Sequence, residues 1–181
     1  VSLLNFLNEH IQLVSLLWLF PVTFLFHDFE ELLTVENWAV RHRDRLDSTL
    51  PDFFKKMLGS SLRINTLHFA KDMFAVYTIV VVATGLAVFF QVYLLFLAAL
   101  HLYFLHVFTH VGQALYLKSY TPGIITAVFP VLPYSLYAYY RLLSEGVVGF
   151  GDLIWAFVVM AVIVPAALFL LIRGRDRYVR S

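Results

Sequence analysis

The segment FPVTFLFHDFEE, residues 20–31, joins the end of a long apolar run to a cluster of ionisable side chains. The run starts near Ile11 and carries no charge up to Phe26. If it continues as a helix, His27, Glu30 and Glu31 share one side, because positions i, i+3 and i+4 stack along the axis. Asp28 stands about 100° around the helix from His27 and is expected to face solvent or headgroups. Ionisable groups at the edge of an apolar span are costly unless they are paired, hydrogen-bonded or bound to a cation. The segment therefore reads as a membrane helix that carries a polar site.

Composition places the rest of the chain around that helix. Of 181 residues, 61% are hydrophobic and 14% charged, against about 45–50% and about 25% in a soluble domain. Mean hydropathy is +0.80. We expect an all-α, polytopic membrane helix bundle forming a single domain over residues 1–181. It has about five transmembrane helices, near residues 11–33, 67–90, 91–117, 121–141 and 151–172. The first span lacks the basic leader and small-residue cleavage site of a secretory signal and is expected to be retained. Pro21 lies inside it, and Pro130 and Pro133 interrupt the fourth, where freed carbonyls can open a cavity. The segment from Thr34 to Thr66 is polar. Within it, Ser48-Thr49-Leu50-Pro51-Asp52 reads as a helix start, with Pro and an acid in the first turn, followed by Phe53, Phe54, Met57 and Leu58 beside Lys55 and Lys56. That pattern suits a short helix lying in the interface, or a polar loop packed on the bundle.

The basic residues give an orientation. Arg41, Arg43, Arg45, Lys55, Lys56 and Arg63 precede the second span, Lys118 separates the third from the fourth, and Arg173, Arg175, Arg177 and Arg180 lie in the tail. With five spans all of these fall on one side, while Arg141 alone lies at the other. The positive-inside rule then places the N-terminus outside and the C-terminus in the cytosol. The basic first loop suits anionic lipid rather than nucleic acid. There is no cysteine, which removes disulfides, thiolate-bound zinc and thiol nucleophiles. No phosphate-binding glycine loop or GxSxG elbow is present.

In this arrangement the ionisable residues of three spans reach the same cytosolic half. His68, Lys71 and Asp72 share a face of the second span. His106, His110 and Gln113 form an i, i+4, i+7 stripe on the third, with His101 nearly opposite. Lys71 is placed to pair with Glu30 or Glu31, and Tyr103 to donate a hydrogen bond near His106. His101 reads as a buried, hydrogen-bonded histidine, and His10 and His42 as surface residues. Tyr139 and Tyr140 suit an interfacial aromatic belt. Imidazole and carboxylate without thiolate suit zinc, iron or manganese, and two imidazoles at i and i+4 can reach one ion.

The stretch from Phe20 to Glu31, together with His106-Val107-Phe108-Thr109-His110 and Tyr120-Thr121-Pro122-Gly123, resembles the HXXEE family of small bacterial integral membrane proteins. The resemblance covers most of the chain. It implies a bacterial cytoplasmic membrane location and a metal or catalytic site at the motif, and it carries no established activity. The residues themselves point to a divalent metal, zinc or iron, as one or two ions. The candidate ligands are His27, Glu30, Glu31, His68, Asp72, His106 and His110, with Glu30 or Glu31 as a catalytic base. The favoured function is a metal-dependent membrane enzyme acting on a lipid-like or amphipathic substrate from the cytosolic side, by hydrolysis. The alternatives are a di-iron oxidase or hydroxylase, a metal-ion or proton carrier or sensor, and a metal-free polar clamp. The absence of an evident inverted repeat weighs against a secondary transporter.

Overall fold

The computed structural model describes residues 3–49 and 66–178, with side chains described for 3–42, 66–67 and 69–167. The expected short interfacial helix begins at Ser48 and Thr49, which instead end the preceding long helix; its remainder, residues 50–58, lies outside the described residues. The elements are α1 (Leu3–His10), α2 (Leu13–Thr49), α3 (Thr66–Phe90), α4 (Leu94–Leu117), α5 (Ile124–Thr126), a π-helical turn (Ala127–Val131), α6 (Leu132–Ser144) and α7 (Phe150–Tyr178). Among the described residues there is no strand. The chain is an all-α membrane bundle. Among the described residues, four stretches are long and apolar enough to cross a bilayer: Leu13–His42, Phe69–Phe90, Leu94–Leu117 and Phe150–Ala167.

Three features depart from the expected layout. The polar stretch beginning at Thr34 is no loop at its start, because α2 runs on as helix to Thr49. No glycine or proline stands between Thr34 and Thr49 to stop the helix, and Glu36, Ala39, Arg41, Arg43, Arg45 and Leu46 favour it. A short helix, α1, precedes the first span and exposes Leu3, Leu4 and Phe6. The expected fourth span is segmented. Pro130 and Pro133 have no N–H to give the carbonyls of Thr126 and Phe129, so the helix widens there. The backbone N–H of Leu132 reaches back five residues, to Ala127.

Two connections fix the packing. Gln91 takes a left-handed φ of 58° in the tight turn between α3 and α4. Lys118 does the same at the end of α4, and its N–H group caps Ala114 and Leu115. The core gathers around Phe20, which is fully buried against the rings of Phe24, Phe96, Tyr103 and Tyr134. Along α2, Phe20 and Phe24 lead to His27 and Glu31; along α4, Phe96, Leu100, Tyr103 and Val107 lead to His110. Both stripes follow the three-and-four spacing of a helix face. Each face is apolar for several turns and then delivers ionisable side chains to the same place.

The other end of the bundle is held by separate polar links. Buried Arg141 donates to the carbonyl of Ile11 at 2.9 Å and to the Tyr137 hydroxyl at 2.8 Å, and it pairs with Glu145. His101 bonds the Leu153 carbonyl at 2.9 Å through Nε2 and the Tyr139 hydroxyl through Nδ1. His101 is thus a hydrogen-bonded histidine joining α4, α6 and α7.

Candidate metal centre

Four ligand-type atoms converge where the two stripes meet. His27 and Glu31 come from α2, and His106 and His110 from α4; one ligand atom from each lies within 4.8 Å of all the others. Glu31 Oε1 stands 3.9 Å from His27 Nε2, 3.7 Å from His106 Nε2 and 3.1 Å from His110 Nε2. The Nε2 atoms of His106 and His110 are 2.8 Å apart. A tetrahedral ion with bonds of about 2.0–2.1 Å requires ligand edges of about 3.3 Å, and the observed edges bracket that value. This group could hold a metal ion.

Proton counting shows which nitrogens are free to bind. The Thr109 hydroxyl gives its one proton to the His106 carbonyl at 2.7 Å, so at 3.2 Å it can only accept from His106 Nδ1–H. That leaves a lone pair on His106 Nε2. The Thr126 hydroxyl lies 2.9 Å from His27 Nδ1. His27 Nε2, which faces Glu31, is buried without a hydrogen-bond partner, as is Nδ1 of His110. Orphaned buried polar atoms are uncommon and call for an explanation. A cation among the Nε2 atoms would satisfy His27 and take the place of the hydrogen bond between His110 Nε2 and His106 Nε2.

The backbone closes one side of the group. Gly123, at φ +81°, lies so near that a Cβ built on it would stand 2.6 Å from His110 Cε1 and 3.0 Å from Glu31 Oε1. Only glycine combines that conformation with that approach. The opposite side is more open. The His106 side chain is 40% exposed, against 2% for His27 and 4% for His110.

The other expected ligands are placed differently. Glu30 points away from the four and accepts from the Thr126 N–H at 2.7 Å, the Thr126 hydroxyl at 2.5 Å, the Tyr120 hydroxyl at 2.8 Å and the Ile125 N–H at 3.3 Å. Burial, and then the Glu30 carboxylate, raise the Tyr120 phenol above its usual pKa, which keeps it a donor. Asp72 is half-buried on α3 and is not among the four. The side chain of His68 lies outside the described ones.

Asp28 is not turned to solvent or headgroups as expected. It is buried and lines a cavity of about 140 Å³ with Leu25, Phe29, Leu32, Ala70, Met73, Phe74 and Tyr77. The reason is that α3 packs on this side of α2. A helical wheel gives the angle between Asp28 and His27 but not which side a neighbouring helix covers. Tyr103 is near, with its ring centroid 6.2 Å from that of His27 and its buried hydroxyl unpartnered.

Sequence reasoning missed Gly123, Thr126 and Thr109 as parts of this site. Gly123 follows a proline in a connection, which signals a turn but not a contact with a centre. Thr126 gives no signal of its own, because its partners Glu30 and His27 stand 96 and 99 residues away along the chain.

Fold and site together define a helical membrane protein with a partly buried histidine and glutamate cluster shared between two spans. The chain belongs to the family described as "Protein of unknown function with HXXEE motif", whose model matches residues 18–138. No curated protein and no solved structure matches it.

Proposed function

We propose that this protein is a membrane metalloenzyme with a single zinc-type ion held by His27, Glu31, His106 and His110, acting on an amphipathic substrate by hydrolysis. The convergence of three imidazole Nε2 atoms and one carboxylate oxygen, with His27 Nε2 buried and unpartnered, carries the reading. Three nitrogens and one oxygen, all borderline to hard donors, suit zinc, iron or manganese. An ion there supplies Lewis acidity for polarising a carbonyl or phosphoryl group.

The chain's own groups do the rest. Gly123 shields one side of the cluster from water. The exposed edge of His106 continues along α4 into Thr109 and Gln113 in one direction and Leu102 and Leu105 in the other. That face offers polar contacts beside apolar ones, which favours a molecule with a polar head and an apolar tail. A two-metal centre draws little support, because the group supplies one carboxylate and Glu30 is held by four donors. Four protein donors favour a second reading, a closed ion-binding site without catalysis, since catalytic zinc usually keeps an open position. The charge distribution supports a cytosolic position for the site, with the segmented 124–144 helix counted as a crossing.

The test is elemental analysis of detergent-purified protein. We expect about one zinc, iron or manganese ion per chain, lost in His110→Ala and in Glu31→Ala. Wild-type protein that neither copurifies with such an ion nor binds one on addition overturns the reading. In the cobalt-substituted protein, a change of the visible bands on adding azide marks an open position and favours catalysis. Bands indifferent to azide favour the closed site.

A further inference from the structure

The hydrogen bonds of Glu30 have a direction. The Thr126 hydroxyl has a single proton, and both acceptors within its reach are acceptors only: Glu30 Oε2 at 2.5 Å and the Gly123 carbonyl at 3.3 Å. A carboxylate facing the Thr126 N–H, the Ile125 N–H and the Tyr120 hydroxyl has no proton of its own to return. The Thr126 oxygen must therefore accept from its other neighbour, His27 Nδ1, at 2.9 Å. A ring nitrogen that donates there leaves its lone pair on Nε2, the buried, unpartnered atom that faces Glu31.

From this chain of contacts we infer that Glu30 is a positioning residue, which acts through Thr126 to hold His27 as the Nδ1–H tautomer and present its Nε2 lone pair to the centre. The two glutamates of the motif thus have separate tasks. Glu31, one turn from His27, enters the group. Glu30, on the adjacent line of the helix, reaches across to the first turn after Gly123 and locks the ring from behind. A partner that fixes tautomer and ring direction typically changes metal affinity by about 10–100-fold when removed. Thr109 serves His106 similarly, but its proton goes to a carbonyl of its own helix. That clamp lies within α4, whereas the Glu30–Thr126 clamp ties α2 to α5.

Part of the inference rests on the metal reading and part does not, so the test has two arms on full-length protein in detergent. The first arm records ring ¹⁵N–¹H correlations of His27 in metal-free protein. We expect Nδ1–H in wild type and in Thr126→Ser, and a shift towards Nε2–H in Thr126→Val and Glu30→Gln. An Nε2–H ring in wild type, or an unchanged ring in both variants, overturns the inference whether or not the protein binds metal. The second arm measures cobalt affinity by chelator competition. Thr126→Val and Glu30→Gln should weaken binding about 10–100-fold, with ion stoichiometry and visible bands kept, and Thr126→Ser should restore it. Loss of stoichiometry or a changed band pattern in Glu30→Gln would make Glu30 a ligand and overturn the positioning role. Wild-type protein that binds no metal overturns the metal reading alone and leaves the first arm to decide this one.

Discussion

At the scale of single residues, the motif was legible as a site but not as a division of labour. Spacing alone put His27, Glu30 and Glu31 on one side of a helix, and it put His106 and His110 within reach of a common ion. It could not show that Glu30 is claimed by Thr126 and Tyr120, because those partners come from about 90 residues further along the chain. Nor could it show that Asp28 is buried against α3. Gly123 is the sharpest single-residue test. Gly123→Ala places a methyl group 2.6 Å from His110 Cε1 and imposes a left-handed φ of 81° on a residue with a Cβ, a strain of about 1–2 kcal/mol. We expect it to lower both the melting temperature and the number of ions bound per chain. Gly112→Ala is the control, since nothing lies within 4 Å of its added methyl. It should leave ion content unchanged and raise helix stability by up to about 1 kcal/mol.

At the scale of elements, the apolar runs announced the long helices, while the broken one required tertiary information. Prolines at 130 and 133 signalled a disturbance; that it would be a π-helical turn, and that Thr126 just before it would stand between Glu30 and His27, follows from packing. A π-helical turn inserts one residue, about 100° of rotation, into the helix that follows or precedes it. Pro130→Ala restores a donor and favours regular α-helix, so we expect it to turn Thr126 out of line. The His27 ring correlations should then move as they do in Thr126→Val, with far-ultraviolet circular dichroism unchanged. If they stay at the wild-type position, the register of Thr126 does not depend on the turn. At the far end, Arg141→Ala strips the Ile11 carbonyl and the Tyr137 hydroxyl of a buried donor. Loss of charged hydrogen bonds of this kind costs about 1.5–3 kcal/mol each, so thermal unfolding in detergent should begin at a clearly lower temperature while ion content persists.

At the scale of the molecule, composition was enough to identify a membrane bundle, because no soluble core needs so apolar a surface. What composition could not give is which helices meet at the site: three spans had suitable residues, and the structure brings together those of α2 and α4. The absence of cysteine makes orientation directly measurable. A single cysteine at position 41 in intact cells should resist impermeant maleimide and react only after permeabilisation; labelling from outside would reverse the orientation. One more property follows from where the four donors sit. His27 and Glu31 ride on one helix, and His106 and His110 on another, so the cluster is a rivet through two rods. The distances within each rod, 3.9 Å and 2.8 Å, are set by helix geometry, whereas those between rods, 3.1 Å and 3.7 Å, change with tilt. Transmembrane helices answer a change of bilayer thickness by tilting. An ion held there as proposed would feel that tilt, so ion affinity measured in nanodiscs of short-chain and long-chain lipid should differ; equal affinities in the two would show that the gap between the helices does not follow bilayer thickness.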